Sequence, residues 1–315
     1  MKIAIVHDLN INNEESKMVE SVNNAISKKY NCELVPFDDN FVSKIKNYDF
    51  VFNLSNKGGR ETKQLHVPSI LDKLGIPYTA SNAYSHALCL DKITTKIIMK
   101  FHNIPTPSFM YFDIGEFPDK IGEDKVYIVK PPREGSARGI TRKSVVNNLE
   151  DMKEQIKKIH KEFKQPALVE EFIDGIEVSV GLIGNADNLE VLPILEIDFS
   201  NLPKGLERFY SFEVKHNYGE LTNYVCPARI SYEIKEKLEF YAKKIFKVLS
   251  LKDYARMDVR IRGDEIYFIE VNSLPQLVPV YSDITKMAKA AGMEYDDLIL
   301  KILESAIKRY KEEEK

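Results

Sequence analysis

The feature that most constrains this chain is an alternation of short apolar runs with helix-period segments over its first ninety or so residues. Residues 2–7 read as a buried strand, 14–27 carry helical periodicity, and 32–36 and 49–54 read as further strands. Residues 64–74 read as a helix stopped by Gly75 and Pro77, the expected exit punctuation. Strands without a polar face cannot meet water on either side. Alternation at this spacing therefore implies an open parallel sheet covered by helices on both faces, a Rossmann-like unit.

Beyond it the pattern changes. Residues 91–101 are expected to be helical, broken by Pro105-Thr106-Pro107, since a proline pushes the preceding residue out of helical backbone. Short strands are expected at 109–112 and 126–131, a glycine-containing loop at 134–139 and a charged helix at 148–163. Segments 167–172 and 177–183 complete this strand-rich stretch, and a long strand is read at 190–198. In 230–249, Ile234, Leu238, Ile245 and Phe246 share one helical face, the core-facing pattern. Segments 254–262 and 265–272 have strong β character and are joined by Gly263-Asp264, a hairpin signal. A last helix at 296–310 is expected to cover the sheet.

Composition enters by exclusion. The formal charge of −3 gives no reason to expect nucleic acid or an anionic membrane as partner, so an anionic ligand must be held by local charge. Cys32, Cys89 and Cys226 lie far apart without a CxxC pair, against a disulfide framework or a zinc cluster. The opening apolar run is too short for a signal peptide, and none approaches the roughly 20 residues that span a bilayer, so a cytoplasmic protein is expected.

The chemistry concentrates on the hairpin. Alternation puts Arg256, Asp258 and Arg260 on one side of the first strand and Glu270 and Asn272 on one side of the second. If both sets face one cleft, two carboxylates and an amide converge, the hard oxygen ligands that Mg²⁺ takes alongside substrate phosphates. An exposed hairpin with salt-bridged acids and arginines is the alternative, but Glu270 and Asn272 stand in an otherwise apolar run where polar side chains need partners. Lys130 ends an apolar strand just before Pro131-Pro132-Arg133-Glu134-Gly135-Ser136 and suits a phosphate, or else snorkels into water. Residues 168–173 form an edge segment able to read an adenine, with Glu177 beyond it for a ribose hydroxyl, or a plain strand and turn. GxxxxGK[ST], GxGxxG and HExxH are all absent.

Eight stretches in order resemble one family: LGIPYTAS at 74–81, LDK at 90–92 with Thr95 and Lys96, IPTP at 104–107, VKPPREGS at 129–136, VEEFI at 169–173, CPA at 226–228, RMD at 256–258 and EVNSLP at 270–275. Along nearly its whole length the chain is similar to the D-alanine–D-alanine ligase group of ATP-grasp enzymes. The resemblance implies an α/β ATP-grasp fold with an N-terminal Rossmann-like domain over 1–91, a central lobe over 92–174 and a C-terminal lobe over 175–315. It implies ATP and two Mg²⁺ ions (Mn²⁺ as substitute), amino-acid substrates and a homodimer. Lys92 and Lys130 would contact phosphates, Glu170, Glu171, Phe172 and Ile173 the adenine, and Glu177 the ribose. Lys215, in FEVK at 212–215, would reach the γ-phosphate. Asp258, Glu270 and Asn272 would hold metal, Arg256 would steady the tetrahedral transition state, and Ser136 would lie on a mobile loop at 134–139.

Departures cluster at the amino-acid end. Gln276 replaces the glycine after the proline of the metal strand, and Tyr281, or Ser282 with a one-residue shift, stands where the family has a serine for the acceptor's carboxylate. His216 replaces a tyrosine, Glu14 or Glu15 would serve as the amine-binding glutamate, and 57–61 with Glu61 matches the second acidic segment only loosely. The reading that follows is D-alanine–D-alanine ligation in peptidoglycan synthesis. The alternatives are the same chemistry on other amino acids or peptides, or nucleotide binding without turnover.

Overall fold

The computed structural model describes residues 1–57, 62–122, 124–203 and 205–313; Glu61 lies outside them. The chain begins with β1 (Lys2–Asp8), α1 (Asn13–Ser27), β2 (Asn31–Phe37), α2 (Phe41–Ile45), β3 (Phe50–Asn53), α3 (His66–Leu74) and α4 (Ala83–Leu90). The strands pair in parallel in the order β2-β1-β3. Helices α2 and α3 cover one face through Phe41, Ile45, Val67 and Leu71. α1 starts at a capping box: Asn12 Oδ1 accepts from the Glu15 N–H at 2.9 Å, and the Glu15 carboxylate accepts from the Asn12 N–H at 2.8 Å. α3 stops as expected at Gly75, whose φ is +67°.

Next come α5 (Lys92–Phe101), β4 (Phe109–Phe112), β5 (Tyr127–Lys130), β6 (Val145–Val146), α6 (Leu149–Phe163) and β7 (Ala167–Glu171). The four strands form an antiparallel sheet in the order β4-β7-β5-β6, backed by α6. The remainder is β8 (Ile176–Ile183), β9 (Glu190–Val191), β10 (Leu195–Asp198), α7 (Phe212–Asn217), β11 (Asn223–Val225), α8 (Tyr232–Val248), β12 (Tyr254–Arg262), β13 (Glu265–Asn272), α9 (Asp283–Ala290) and α10 (Tyr295–Glu313). These strands build a six-stranded sheet, β11-β10-β8-β12-β13 with β9 on β8, and α8 buries Ile234, Leu238, Ile245 and Phe246 against it.

Three expectations change. Segments 167–172 and 177–183, read as one strand-rich stretch, separate: β7 joins the four-stranded sheet and β8 the centre of the six-stranded one. Gly175, at φ +146° in the turn between them, allows this close approach, because a Cβ there would lie 2.0 Å from the Ile261 carbonyl oxygen. The single strand read at 190–198 is two short ones, with Pro193 in the break. The last helix reaches beyond the sheet of its own region, whose Ile183, Leu195 and Tyr254 lie in the same core. It packs beside α1, so that Leu298, Ile299, Ile302 and Leu303 share a core with Ile3, Ile5, Met18 and Val22.

A buried hub joins the first and third regions. The Asp253 carboxylate accepts from Arg309 at 2.9 Å and from the Ala80 N–H at 2.8 Å, and Arg309 also donates to the Tyr78 carbonyl. Among the described residues no helix is long and apolar enough to cross a membrane.

Candidate active site

Hairpin β12–β13 carries the centre of the site, and a bulge sets its chemistry. Val259 pairs with Phe268 and Asp258 with Glu270, which leaves Ile269 as an extra residue on β13. Strict alternation would put Glu270 and Asn272 on the same face as Ile266 and Phe268, which are buried in the core. The extra residue reverses the phase. Ile266, Phe268 and Val271 all enter the core, while Glu270 and Asn272 face the side that carries Arg256, Asp258 and Arg260.

There the acids are densely engaged. Asp258 accepts from Arg256 Nε and Nη2 at 2.9 and 2.8 Å, from Ser179 Oγ at 2.9 Å and from Asn272 Nδ2 at 3.2 Å. Glu270 pairs with Lys92 at 3.1 Å. Burial raises the Asp258 pKa and Glu270 adds to this, against the pull of Arg256. Burial would also raise Glu270, but Lys92, Lys130 and Arg256 outweigh it and hold that carboxyl below its usual range. Two carboxylates are thus pressed together with an amide beside them, all hard oxygen donors, and cations hold the places around them. This set fits Mg²⁺. Among the described residues no three His, Cys, Asp or Glu side chains gather into a group that could hold a metal ion by themselves.

The four-stranded sheet and α5 bring a second group. Glu170, on β7, pairs with Lys96 at 3.1 Å and with Lys130, the end of β5, at 2.9 Å; all three are buried. Burial pushes the Lys96 ammonium down to about 8, while Lys130 and Lys96 outweigh burial at Glu170 and hold it ionised. The Lys92 ammonium also donates to the Glu134 carbonyl at 2.7 Å, which ties the start of loop 134–139 to the metal candidates. Ser136 is exposed on that loop, in left-handed backbone at φ +54°. Gly139 closes the loop, where a Cβ would meet Pro131 and Phe163 at 2.9 Å.

Of the segment read for adenine, Ile173 is buried and Phe172 meets the Phe209 ring edge-on at 5.5 Å. Glu171 is drawn outward by Arg262 at 2.9 Å and Ser108 at 2.9 Å. Glu177 pairs with Arg260 at 3.1 Å, and burial pushes its carboxyl up to about 7 against that arginine. Lys215 sits on α7 with its ammonium 5.5 Å from the Tyr210 ring.

The residues read for amino acids do not converge in the same way. Glu15 is committed to the α1 cap and to Lys57 at 2.5 Å. His216 stacks on Phe212 at 4.1 Å on an exposed face. Gln276 and Tyr281 are exposed, and Ser282 Oγ accepts from the Val278 N–H at 3.0 Å within its own turn. Sequence reasoning missed Lys96, Asp283 and Lys286 as neighbours of the site, and it placed Arg260 on the face of Asp258 without giving it a role. Lys96 had a usable signal, its four-residue spacing from Lys92 on one helix face.

A family model described as "D-ala D-ala ligase C-terminus" matches residues 103–304. The chain is 35% identical over 291 residues to a D-alanine–D-alanine ligase of Carboxydothermus hydrogenoformans, covering 88% of each. It is 32% identical over 276 residues to one of Petrotoga mobilis, covering 86% of this chain and 85% of the relative. The crystal structure of D-alanine–D-alanine ligase from Bacillus anthracis complexed with ATP shares its fold at a TM-score of 0.77 and 24% identity, over 99% of both chains. The fold is thus ATP-grasp, and the chain belongs to the D-alanine–D-alanine ligase family.

Proposed function

We propose that this protein is an ATP-dependent ligase that joins two D-alanine molecules through an acyl phosphate, the reaction its relatives are named for. The observation that carries the reading is the junction of Lys92, Glu270, Asp258 and Arg256 where the start of α5 meets hairpin β12–β13. A carboxylate is a poor acyl donor because its oxygen leaves badly. Its attack on the γ-phosphorus of ATP expels ADP and makes that oxygen a phosphate leaving group. The amine of the acceptor then attacks the acyl carbon, and phosphate departs as the amide forms.

Lys92, Lys130 and Lys215 offset the charge of the phosphate oxygens, and Arg256 lies where it can steady the oxyanion of the tetrahedral state. Asp258, Glu270 and Asn272 would hold two Mg²⁺ ions, whose charge when bound neutralises the transferred phosphoryl group. Glu170, Glu171, Phe172 and Ile173 take the adenine and Glu177 the ribose, with Ser136 on the loop that excludes water from the acyl phosphate. The reading extends to division of the chain at 91 and 174, a cytoplasmic homodimer and a place in cell-wall synthesis. A second reading, other amino acids or peptides in the same chemistry, is favoured by exposed Gln276 and Tyr281 at the acceptor end.

Phosphate release from Mg-ATP, measured with single and paired amino acids, tests both. D-Alanine alone should drive release matched by dipeptide, and Asp258→Asn should cut turnover on the order of 10³-fold with unchanged circular dichroism. Release with another pair but not with D-alanine selects the second reading. Unimpaired turnover in Asp258→Asn removes the metal assignment.

A further inference from the structure

The first turn of α9 carries two opposite charges three residues apart, Asp283 and Lys286, with side chains 17% and 20% exposed. Asp283 lies 3.5 Å from Arg256 and 3.7 Å from Lys286. Both separations exceed the 2.8–2.9 Å of Arg256 on Asp258, so this carboxylate is flanked by cations without being clamped. The Lys286 ammonium lies 3.7 Å from the centre of the Tyr224 ring, hydrogen-bonds the Tyr281 carbonyl and is 5.5 Å from the Tyr281 ring. Tyr224 is in turn hydrogen-bonded to Tyr210, whose ring faces Lys215. A row of cation and aromatic contacts therefore runs from Lys286 to the lysine read for the γ-phosphate.

An ordinary helix-surface pair would be solvated and contribute little. This pair is mostly buried, and burial lowers the lysine's pKa. Its carboxylate neighbour Asp283 stands at 3.7 Å, beyond hydrogen-bond distance, so the ammonium's pairing with an anion is incomplete. Two unlike charges this close match a molecule that carries both on one carbon. We propose that Asp283 and Lys286 recognise the acceptor amino acid as a zwitterion, Lys286 holding its carboxylate and Asp283 its ammonium. The inference rests on the ligase reading above. Asp283 borders Arg256, so the amine is delivered beside the carbonyl that Arg256 steadies, while Lys286 anchors the far end. This assigns the carboxylate to a residue other than Tyr281 or Ser282, whose exposed ring and committed hydroxyl leave it unheld.

The test compares D-alanine with D-alaninamide, which lacks the carboxylate, in wild type, Lys286→Met, Lys286→Arg and Asp283→Asn. KM values are taken with Mg-ATP, and binding is titrated in the complex with a non-hydrolysable ATP analogue. Lys286→Met should raise the acceptor KM about 10- to 100-fold, the loss of a hydrogen bond to a charged group, with the KM for ATP within about twofold. Lys286→Arg should recover most of it, and Asp283→Asn should weaken both acceptors alike. Lys286→Met should also lose the preference for D-alanine over its amide. An unchanged acceptor KM, or a parallel rise for ATP, overturns the assignment. So does a wild type that binds the amide as well as the acid, a result that needs no variant to fold. The ligase reading fails separately, when wild type binds D-alanine but releases no phosphate.

Discussion

The two ends of the site are built differently. At the end proposed for the nucleotide, Lys96, Glu170 and Lys130 are buried and paired at 2.9–3.1 Å, and Glu177 is closed on Arg260. At the end proposed for the acceptor, Gln276 and Tyr281 are exposed and Asp283 stands 3.5–3.7 Å from its cations. A common cosubstrate can be met by charges locked in advance. A specificity surface has its charges spaced for a guest, and there a change of residue alters the substrate without unfolding the protein. Of the residues that depart from the family, Gln276 and Tyr281 lie at this second end.

The largest expected effect breaks the nucleotide end. Glu170→Gln leaves two buried ammonium groups without their anion, and denaturant unfolding should show a loss of about 3–5 kcal/mol. A loss below about 1 kcal/mol would mean that the triad is solvated and the contrast between the ends is wrong.

A middle-sized effect concerns pH. The Glu177 pKa is raised from 4.5 to about 7 in the fold. An acid raised in this way contributes stability in full below about 4.5 and loses it as pH rises through about 7. Without nucleotide, the stability of wild type relative to Glu177→Gln should therefore fall by up to about 3 kcal/mol across that window. Parallel curves for the two proteins would place Glu177 in water.

The smallest effect lies at the acceptor end. Gln276→Gly removes an exposed side chain, so stability should move by less than about 1 kcal/mol and the KM for ATP should hold. The acceptor KM should shift a few-fold. A larger change in ATP binding than in acceptor binding would join the two ends into one unit.

Much of the fold was legible because its signals are local. The 2-residue and 3.6-residue periods, Gly75 as a helix stop and Gly263-Asp264 as a hairpin turn act within a few residues. Residue chemistry on the hairpin was legible for the same reason. Glu15 was read only as a ligand, although Asn12-x-x-Glu15 carries the spacing of a capping box, and its hydrogen bonds favour the cap.

What the sequence by itself determined is the order of elements, the covered parallel sheet and the set of acids and lysines available for chemistry. Tertiary structure alone decided which of them meet. The bulge at Ile269 exists only against the register of β12, and without it Glu270 and Asn272 would point into the core. Lys96, Lys130 and Glu170 come from three elements, Asp283 reaches Arg256 from a helix beyond the hairpin, and α10 returns to α1 across nearly the whole chain. Periodicity reports which side of one element is apolar. Convergence depends on how several such sides bury one another, a long-range condition that no single window of sequence contains.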